Sequence, residues 1–375
     1  MKEPKRPEWS ESHPAFSTSY MPGIESTHDG FKTSGKKKFQ KVNAANLPIE
    51  EIARKLMAGD RIMLSKAITL IESNAKQHFE MAQDLLNFLL SNVCSSIRIG
   101  ITGVPGAGKS TFIEEFGCYL CDQGHKVAVL AVDPSSTVSG GSILGDKTRM
   151  EKLAKHPNAF IRPSPSTGTL GGVHRKTRES ITACEAAGYD IIIVETVGVG
   201  QSEVMVRGMV DFFLLLSITG AGDELQGMKK GIMELADAII VNKADGENKK
   251  LAEKTKREYN QILHFLMPAT KGWETKAYTC SALNGDGIPE IWRIVNRFSQ
   301  ITKNNGVFTE RRRSQLKEWM FAMIQERLEN SFFQHSSVKK HLPIIQNAVM
   351  QETITVAKAV DNLFHKYQEE NKLID

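Results

Sequence analysis

The 375 residues carry 41% hydrophobic and 24% charged side chains, the proportions of a folded globular protein, which excludes a chain disordered throughout, a collagen or a coiled-coil rod. The net charge of +5 is a mild basic bias over this length and gives no ground to expect nucleic-acid binding. No apolar run approaches the ~18 residues that a membrane-spanning helix needs, the longest being Phe212 to Ile218, so no membrane association is expected.

Residues 1–45 are rich in Pro, Ser, Thr, Gly and Lys without apolar periodicity, and are expected to form a flexible tail. The opening MKEPKRPEWSESHP lacks an apolar secretory core and carries Glu3, Glu8 and Glu11, which organellar transit peptides avoid. Five cysteines imply no disulfide framework and suit a reducing compartment, so the expected location is cytoplasmic. Residues 46–92 change to helical spacing, with Ile52 and Leu56, then Leu64, Ile68 and Ile71, then Met81, Leu85, Phe88 and Leu89. A helical leader of two or three helices is predicted there, with Gly59-Asp60 as a break.

From 93 to 302 short β-branched runs alternate with amphipathic stretches: IRIGIT, KVAVLAVD, YDIIIVE, DFFLLLSIT, DAIIVNK and KAYTCSA. Near-continuous apolar strands separated by helices predict an α/β domain with a doubly wound, mostly parallel sheet and its ligand beyond the carboxyl ends of the strands. IRIGIT leads into Gly103-Val104-Pro105-Gly106-Ala107-Gly108-Lys109-Ser110-Thr111, and a helical stretch follows. This is G-x-x-x-x-G-K-[ST] in its strand–loop–helix setting. Backbone N–H groups and the helix dipole there favour phosphate, Lys109 should reach the β- and γ-phosphates, and the Ser110 hydroxyl should bind Mg²⁺.

Asp133 ends the next strand and Asp146 follows in the loop SSTVSGGSILGDKTRM. Both are candidate Mg²⁺ or catalytic ligands in a segment whose composition suits ordering by γ-phosphate. Asp133 could instead start a turn before Pro134, and Asp146 cap a helix near Lys147, but the functional reading is preferred for both because loops near a phosphate site carry function disproportionately. YDIIIVE ends in Glu195-Thr196-Val197-Gly198, where most small GTPases read D-x-x-G. Glu195 can hold Mg²⁺, or serve as a strand-end cap, and the Gly198 N–H can meet the γ-phosphate. Val199 stands where Ras-like enzymes place a water-orienting Gln, with Gln201 two residues later as the candidate in its stead, so unaided hydrolysis should be slow.

DAIIVNK ends in Asn242-Lys243-Ala244-Asp245, an N-K-x-D box like the guanine-specificity motif of GTPases. A carboxylate at Asp245 accepts from guanine N1–H and N2, a donor pair adenine lacks, so the nucleotides expected are GTP and GDP. Ser281-Ala282-Leu283 at the next strand end resembles the element whose backbone supports the guanine. Cys118 and Cys121 have the spacing of a metal or redox pair but stand without a second pair, and are expected to be half-buried helix cysteines. After a turn-like linker, Thr302 to Gly306, residues 307–375 are helical again. Leu316, Trp319, Met320, Met323, Ile324 and Leu328 form one apolar stripe, and Ile345, Val349, Val356, Val360 and Leu363, beyond Pro343, another. Arg311-Arg312-Arg313 is expected to be a solvated helix start.

The strings GVPGAGKSTFIE, AVDPSS, GGSILGDKTRM, ETVGVGQSE, GAGDELQGMKKGI, NKADG and CSALNGDGI together resemble the methylmalonyl-CoA mutase-associated GTPases, over roughly Leu47 to Leu363. The resemblance implies a phosphate-loop (P-loop) GTPase and a homodimer built by the C-terminal helical dimerisation arm. It implies as client an adenosylcobalamin-dependent methylmalonyl-CoA mutase or a close relative. GTP would gate delivery of intact cofactor and protect or rescue the mutase, so adenosylcobalamin concerns this chain only through its client. It carries nucleotide, Mg²⁺ and catalytic roles onto Lys109, Ser110, Asp133, Asp146 and Glu195, and a third switch onto Gly220 to Lys230, which on its residues alone is a glycine hinge before a helix. Two alternatives stand beside it: a nickel metallochaperone GTPase, which the sparse Cys/His ligands disfavour, and a P-loop kinase, which NKAD disfavours.

Overall fold

The computed structural model describes residues 48–132, 150–164, 170–196, 202–219 and 230–371. Three helices come first, α1 (Ile49–Met57), α2 (Arg61–Glu72) and α3 (Lys76–Leu90). The predicted break is a cap: the Asp60 carboxylate accepts from the backbone N–H of Ile62 and Met63 at 2.8 and 3.1 Å and starts α2.

The α/β region then runs β1 (Ile97–Gly103), α4 (Lys109–Asp122), β2 (Val127–Val132), α5 (Glu151–Lys155), β3 (Ala159–Ser164), α6 (Leu170–Ala186) and β4 (Ile191–Thr196). It continues through α7 (Ser202–Arg207), β5 (Phe212–Ser217), α8 (Lys230–Leu235), β6 (Ala238–Val241), α9 (Asn248–Leu263), β7 (Lys276–Thr279) and α10 (Ile288–Asn304). Among the described residues the strands form one seven-stranded sheet, order β3-β2-β4-β1-β5-β6-β7, with every neighbouring pair parallel. β1 and β5 are adjacent, yet the chain leaves β1 towards β2 and leaves β5 towards β6. The loop after β1 therefore opens into the crevice where an open α/β sheet binds its ligand.

The pleat sorts alternate side chains into two cores. Ile97, Ile99, Ile101, Val127, Val129, Ile191 and Ile193 pack with Phe112 and Phe116 of α4 and with α9 and α10. Ala128, Leu130, Val132, Ile192, Val194 and Phe213 pack with α1–α3, α6 and α7. The N-terminal helices thus cover one face of the sheet.

The strand over Ala159–Ser164 is not among the six runs that the sequence pattern predicts. It is an edge strand carrying Arg162 and Pro163, so it lacks the continuous apolar run that marks a central strand, and its proline needs no ladder partner on the outer side. At the opposite edge, the Ala277 N–H donates to Asn260 Oδ1 at 2.8 Å and the Asn260 amide donates back to the Ala277 carbonyl at 3.4 Å.

Three further helices follow, α11 (Val307–Gln334), α12 (Ser336–Met350) and α13 (Val356–Asn371). Two details differ from the sequence expectation. α10 extends through Asn304, which shortens the linker to Asn305–Gly306, and α12 runs from Ser336 straight through Pro343. Leu316, Met320, Ile324 and Leu328 of the first stripe are exposed. Leu363 of the second is buried, and Phe332 meets Phe364 with ring centroids 4.7 Å apart. No helix among the described residues is long and apolar enough to cross a membrane.

Candidate functional site

The loop from Gly103 to Gly108 joins β1 to α4. A Cβ on Gly103 would lie 2.4 Å from the Leu216 carbonyl oxygen of β5, so only glycine fits where the loop leaves the sheet. Gly108 caps α4 in the left-handed region, φ 81°, where a side chain would also press on the Asn242 amide. Ala107 is buried, while Pro105 and Gly106 face outward. Lys109 opens α4 and turns back across the loop, its Nζ donating to the Gly103 carbonyl at 2.9 Å and the Val104 carbonyl at 3.4 Å. Burial lowers its pKa, and the charges of Glu195 and Glu203 pull the other way. Ser110 is half-buried and Thr111 exposed in the same first turn.

Glu195 sits at the end of β4, buried, in register with Ile101 of β1 and Ala131 of β2. Beside it the Thr196 hydroxyl donates to that of Thr102 at 2.8 Å and ties the ends of the two strands together. Glu203, fully buried on α7, is a residue that the sequence pattern alone does not single out; its place in ETVGVGQSE, eight residues after Glu195, is the available signal.

On the other side of β1, Asn242 follows β6 and is buried. Its Nδ2 donates to the Ala107 carbonyl at 2.9 Å, and its Oδ1 accepts from the Ala282 N–H at 3.0 Å. One amide thus joins the phosphate-type loop to the Ser281–Leu283 turn. Lys243 adopts φ 57°, in the left-handed region, and its Cε lies 3.9 Å from where a Gly108 Cβ would be. Asp245 is half-buried and accepts from the Ser281 hydroxyl at 2.6 Å, while that hydroxyl accepts from the Asn284 N–H at 3.3 Å. Ala282 is buried and Leu283 exposed. Tyr259, which no sequence motif marks, meets the Ser217 hydroxyl at 2.6 Å, and the Ser217 carbonyl accepts from the Asn242 N–H at 2.9 Å.

The structure brings Lys109, Ser110, Glu195, Asn242, Asp245 and Ser281–Leu283 to the carboxyl ends of β1, β4, β6 and β7. Asp133, Asp146, Gly198 and Gln201, and Gly220 to Lys229 of the glycine-rich segment, lie outside the described residues. Among the described residues no group of three His, Cys, Asp or Glu side chains is assembled for a metal. Ser110 and Glu195 offer a hydroxyl and a carboxylate, hard oxygen donors of the kind Mg²⁺ takes, so these two residues fit that ion.

Two other sequence readings fare differently. Cys118 is half-buried and Cys121 buried, and burial pushes their thiols up to about 11 and about 12. Arg311 and Arg312 are not solvated. Arg312 pairs with the buried Asp211 at 2.7 Å and donates to the Ser96 carbonyl at 3.0 Å, while Arg311 donates to the Asp211 carbonyl and the Thr270 hydroxyl; Arg313 alone is exposed. Asp211 stands about a hundred residues earlier, beyond the reach of local pattern.

Comparison with known proteins accords with this geometry. Residues 64–337 match the family model described as methylmalonyl-CoA mutase-associated GTPase MeaB. The GTPase ArgK of Escherichia coli is 45% identical over 314 residues, 84% of this chain and 94% of that protein. The mouse methylmalonic aciduria type A homolog, mitochondrial, is 43% identical over 330 residues, 85% of this chain and 80% of that protein. The crystal structure of an LAO/AO transport system kinase superposes with a TM-score of 0.69 at 38% identity, covering 85% of this chain and 97% of that one.

Proposed function

The chain belongs to the methylmalonyl-CoA mutase-associated GTPase family and is a GTPase, and from that premise we propose that it gates adenosylcobalamin delivery to methylmalonyl-CoA mutase or a close relative, and protects or reactivates that enzyme. The observation that supports the nucleotide reading is the Asn242 amide, which couples the phosphate-type loop to the Ser281–Leu283 turn and sets Asp245 beside it. Phosphate loop and base-reading box are then parts of one rigid cradle.

In this reading the backbone N–H groups of Gly103 to Gly108 and the α4 N-terminus receive the phosphates. Lys109 exchanges the Gly103 and Val104 carbonyls for β- and γ-phosphate oxygens, and Thr111 flanks the α-phosphate side. Asp245 accepts from the guanine edge, oriented by Ser281, while Ala282 and Leu283 present backbone to the base. Ser110 and Glu195, with Asp133 and Asp146, would hold Mg²⁺, which would neutralise charge on the phosphates. Gly198 meets the γ-phosphate, and Gln201 or the Asp133–Asp146 loop orients the attacking water. Residues 93–302 are the GTPase domain, 46–92 a helical cover, 1–45 a tail, and 307–375 the arm through which two copies pair. Five free thiols suit the cytoplasm. The nickel-chaperone and kinase alternatives are not favoured.

The test has two arms. A methylmalonyl-CoA mutase should retain the protein in a pull-down with a non-hydrolysable GTP analogue and lose it with GDP. Steady-state phosphate release should be slow alone, of order 10⁻³ to 10⁻² s⁻¹, and rise when the mutase is added. A fast basal rate that the mutase leaves untouched removes the chaperone mechanism.

A further inference from the structure

We infer that Tyr259 is a positioning residue for guanine recognition, holding α9, the helix that follows the NKAD box, to the end of β5 through the Ser217 hydroxyl. This rests on the reading of Asn242 to Asp245 as the guanine site.

The end of β5 touches both loops of the site. The Leu216 carbonyl closes against Gly103, where the phosphate-type loop leaves the sheet. One residue on, the Ser217 carbonyl accepts from the Asn242 N–H at 2.9 Å, and the Asn242 side chain holds Ala107 and Ala282. Ser217 and Tyr259 are both fully buried, and their hydroxyls meet at 2.6 Å. The Tyr259 ring belongs to the core that also takes in Leu216 and Ile240. α9 starts directly behind the box: the Asn248 N–H donates to the Asp245 carbonyl at 3.0 Å, and the Lys249 N–H to the Gly246 carbonyl at 3.4 Å. The direction of α9 therefore sets the stance of the Asp245 turn.

Two further side chains of α9 bond to the sheet, and both go to β7. Asn260 pairs with Ala277, and Glu253 accepts from the Thr279 hydroxyl at 3.0 Å. Both are partly exposed, so water competes for their bonds. Among the described residues, the bond that carries α9 past β6 to β5 is Tyr259 on Ser217. A phenylalanine would fill the same core space, so the hydroxyl adds direction rather than packing. Deprived of it, the Ser217 oxygen loses a short bond in a place closed to water, and α9 gains freedom to tilt. A carboxylate that reads two donors at once needs both in line. Guanine presents N1–H and N2, whereas hypoxanthine presents N1–H alone and loses less when Asp245 turns.

The test uses the full chain with Tyr259→Phe, with Ser217→Ala, and with both. Displacement of a fluorescent guanine nucleotide by GDP and by inosine diphosphate gives the two affinities. Each single variant should lose about three- to tenfold in GDP affinity, and its preference for GDP over inosine diphosphate should narrow by about threefold. The double variant should be no weaker than the weaker single one, because the two hydroxyls share one bond. An unchanged preference overturns the proposal whatever the absolute affinities, since a merely loosened fold weakens both nucleotides alike. Losses that multiply in the double variant overturn it too. Asp245→Asn, run alongside, separates the premises: a preference that survives there removes the base-box reading and this proposal with it. A preference lost there and kept in Tyr259→Phe and Ser217→Ala removes this proposal alone.

Discussion

The Ser281 hydroxyl donates to Asp245 Oδ2 at 2.6 Å across 36 residues of sequence, so the carboxylate is oriented before any ligand arrives. The bond leaves Oδ1 and a second lone pair on Oδ2, so both oxygens can still accept from a donor pair. Asp245→Asn should weaken GTP and GDP alike by roughly tenfold or more, because an amide cannot accept from both guanine donors. Ser281→Ala should cost less, about threefold, since it removes orientation and not charge. Calorimetric titration measures both, and unchanged affinity in Asp245→Asn takes the NKAD box out of the base site.

Asn242→Ala leaves two groups without their partner, the Ala107 carbonyl and the Ala282 N–H. The expected cost is about 1–3 kcal/mol of folding stability, read from urea unfolding, together with weaker nucleotide binding because the two loops lose their link. Undiminished affinity would show that they keep their spacing without it.

Lys109 makes a prediction with a sign. Burial lowers its pKa despite Glu195 and Glu203, so the unfolded chain holds that proton more tightly than the folded one. Stability measured without added nucleotide therefore carries a penalty at neutral pH, relieved as pH rises through the folded value towards the ordinary lysine range. Lys109→Met should unfold at higher temperature than the unaltered protein at pH 7, with the gap narrowing at alkaline pH, while hydrolysis falls by at least about a hundredfold. A gap that widens with pH contradicts the assignment.

Arg312 and Arg313 are neighbours with opposite fates. Arg312→Ala abandons the buried Asp211 and should cost about 3–5 kcal/mol, whereas Arg313→Ala, at an exposed position, should stay within about 0.5 kcal/mol. Chemical denaturation of the pair decides, and equal effects would return the arginine run to solvent.

Met320, Ile324 and Leu328 are 53%, 47% and 65% exposed on one side of α11. Replacing all three with Glu should leave the single chain folded by circular dichroism and turn a dimer into a monomer by light scattering. Deleting everything after Gly306 is a poorer test, since it also strips Arg311, Arg312 and Gln315 from the Asp211 corner. A dimer that survives the triple change would place the interface elsewhere.

The phosphate-type loop and the NKAD box were legible because their chemistry is carried by adjacent residues at strand ends, where local spacing is the signal. Six of the strands were legible for the same reason, as short, largely apolar or β-branched runs between amphipathic stretches. The edge strand Ala159–Ser164 was hidden by Arg162 and Pro163, residues that an edge tolerates and a pattern search rejects. Arg311 and Arg312 were misread because a charge run says nothing about Asp211, a hundred residues away. Tyr259 on Ser217 and the Asn242 bridge to Ala282 were likewise pairings made by the sheet, which brings together ends that the chain keeps apart.

The closed margins of that sheet bear on the protein's fate at high concentration. One outermost strand carries Pro163, and the other turns the Ala277 amide into the side chain of Asn260, so that neither offers a clean row of backbone donors to a stranger. Strand-to-strand growth, which has no natural end, is thereby disfavoured. Asn260 is in this sense a guard against fibres, placed at the opposite edge of the sheet from the proline that does the same work.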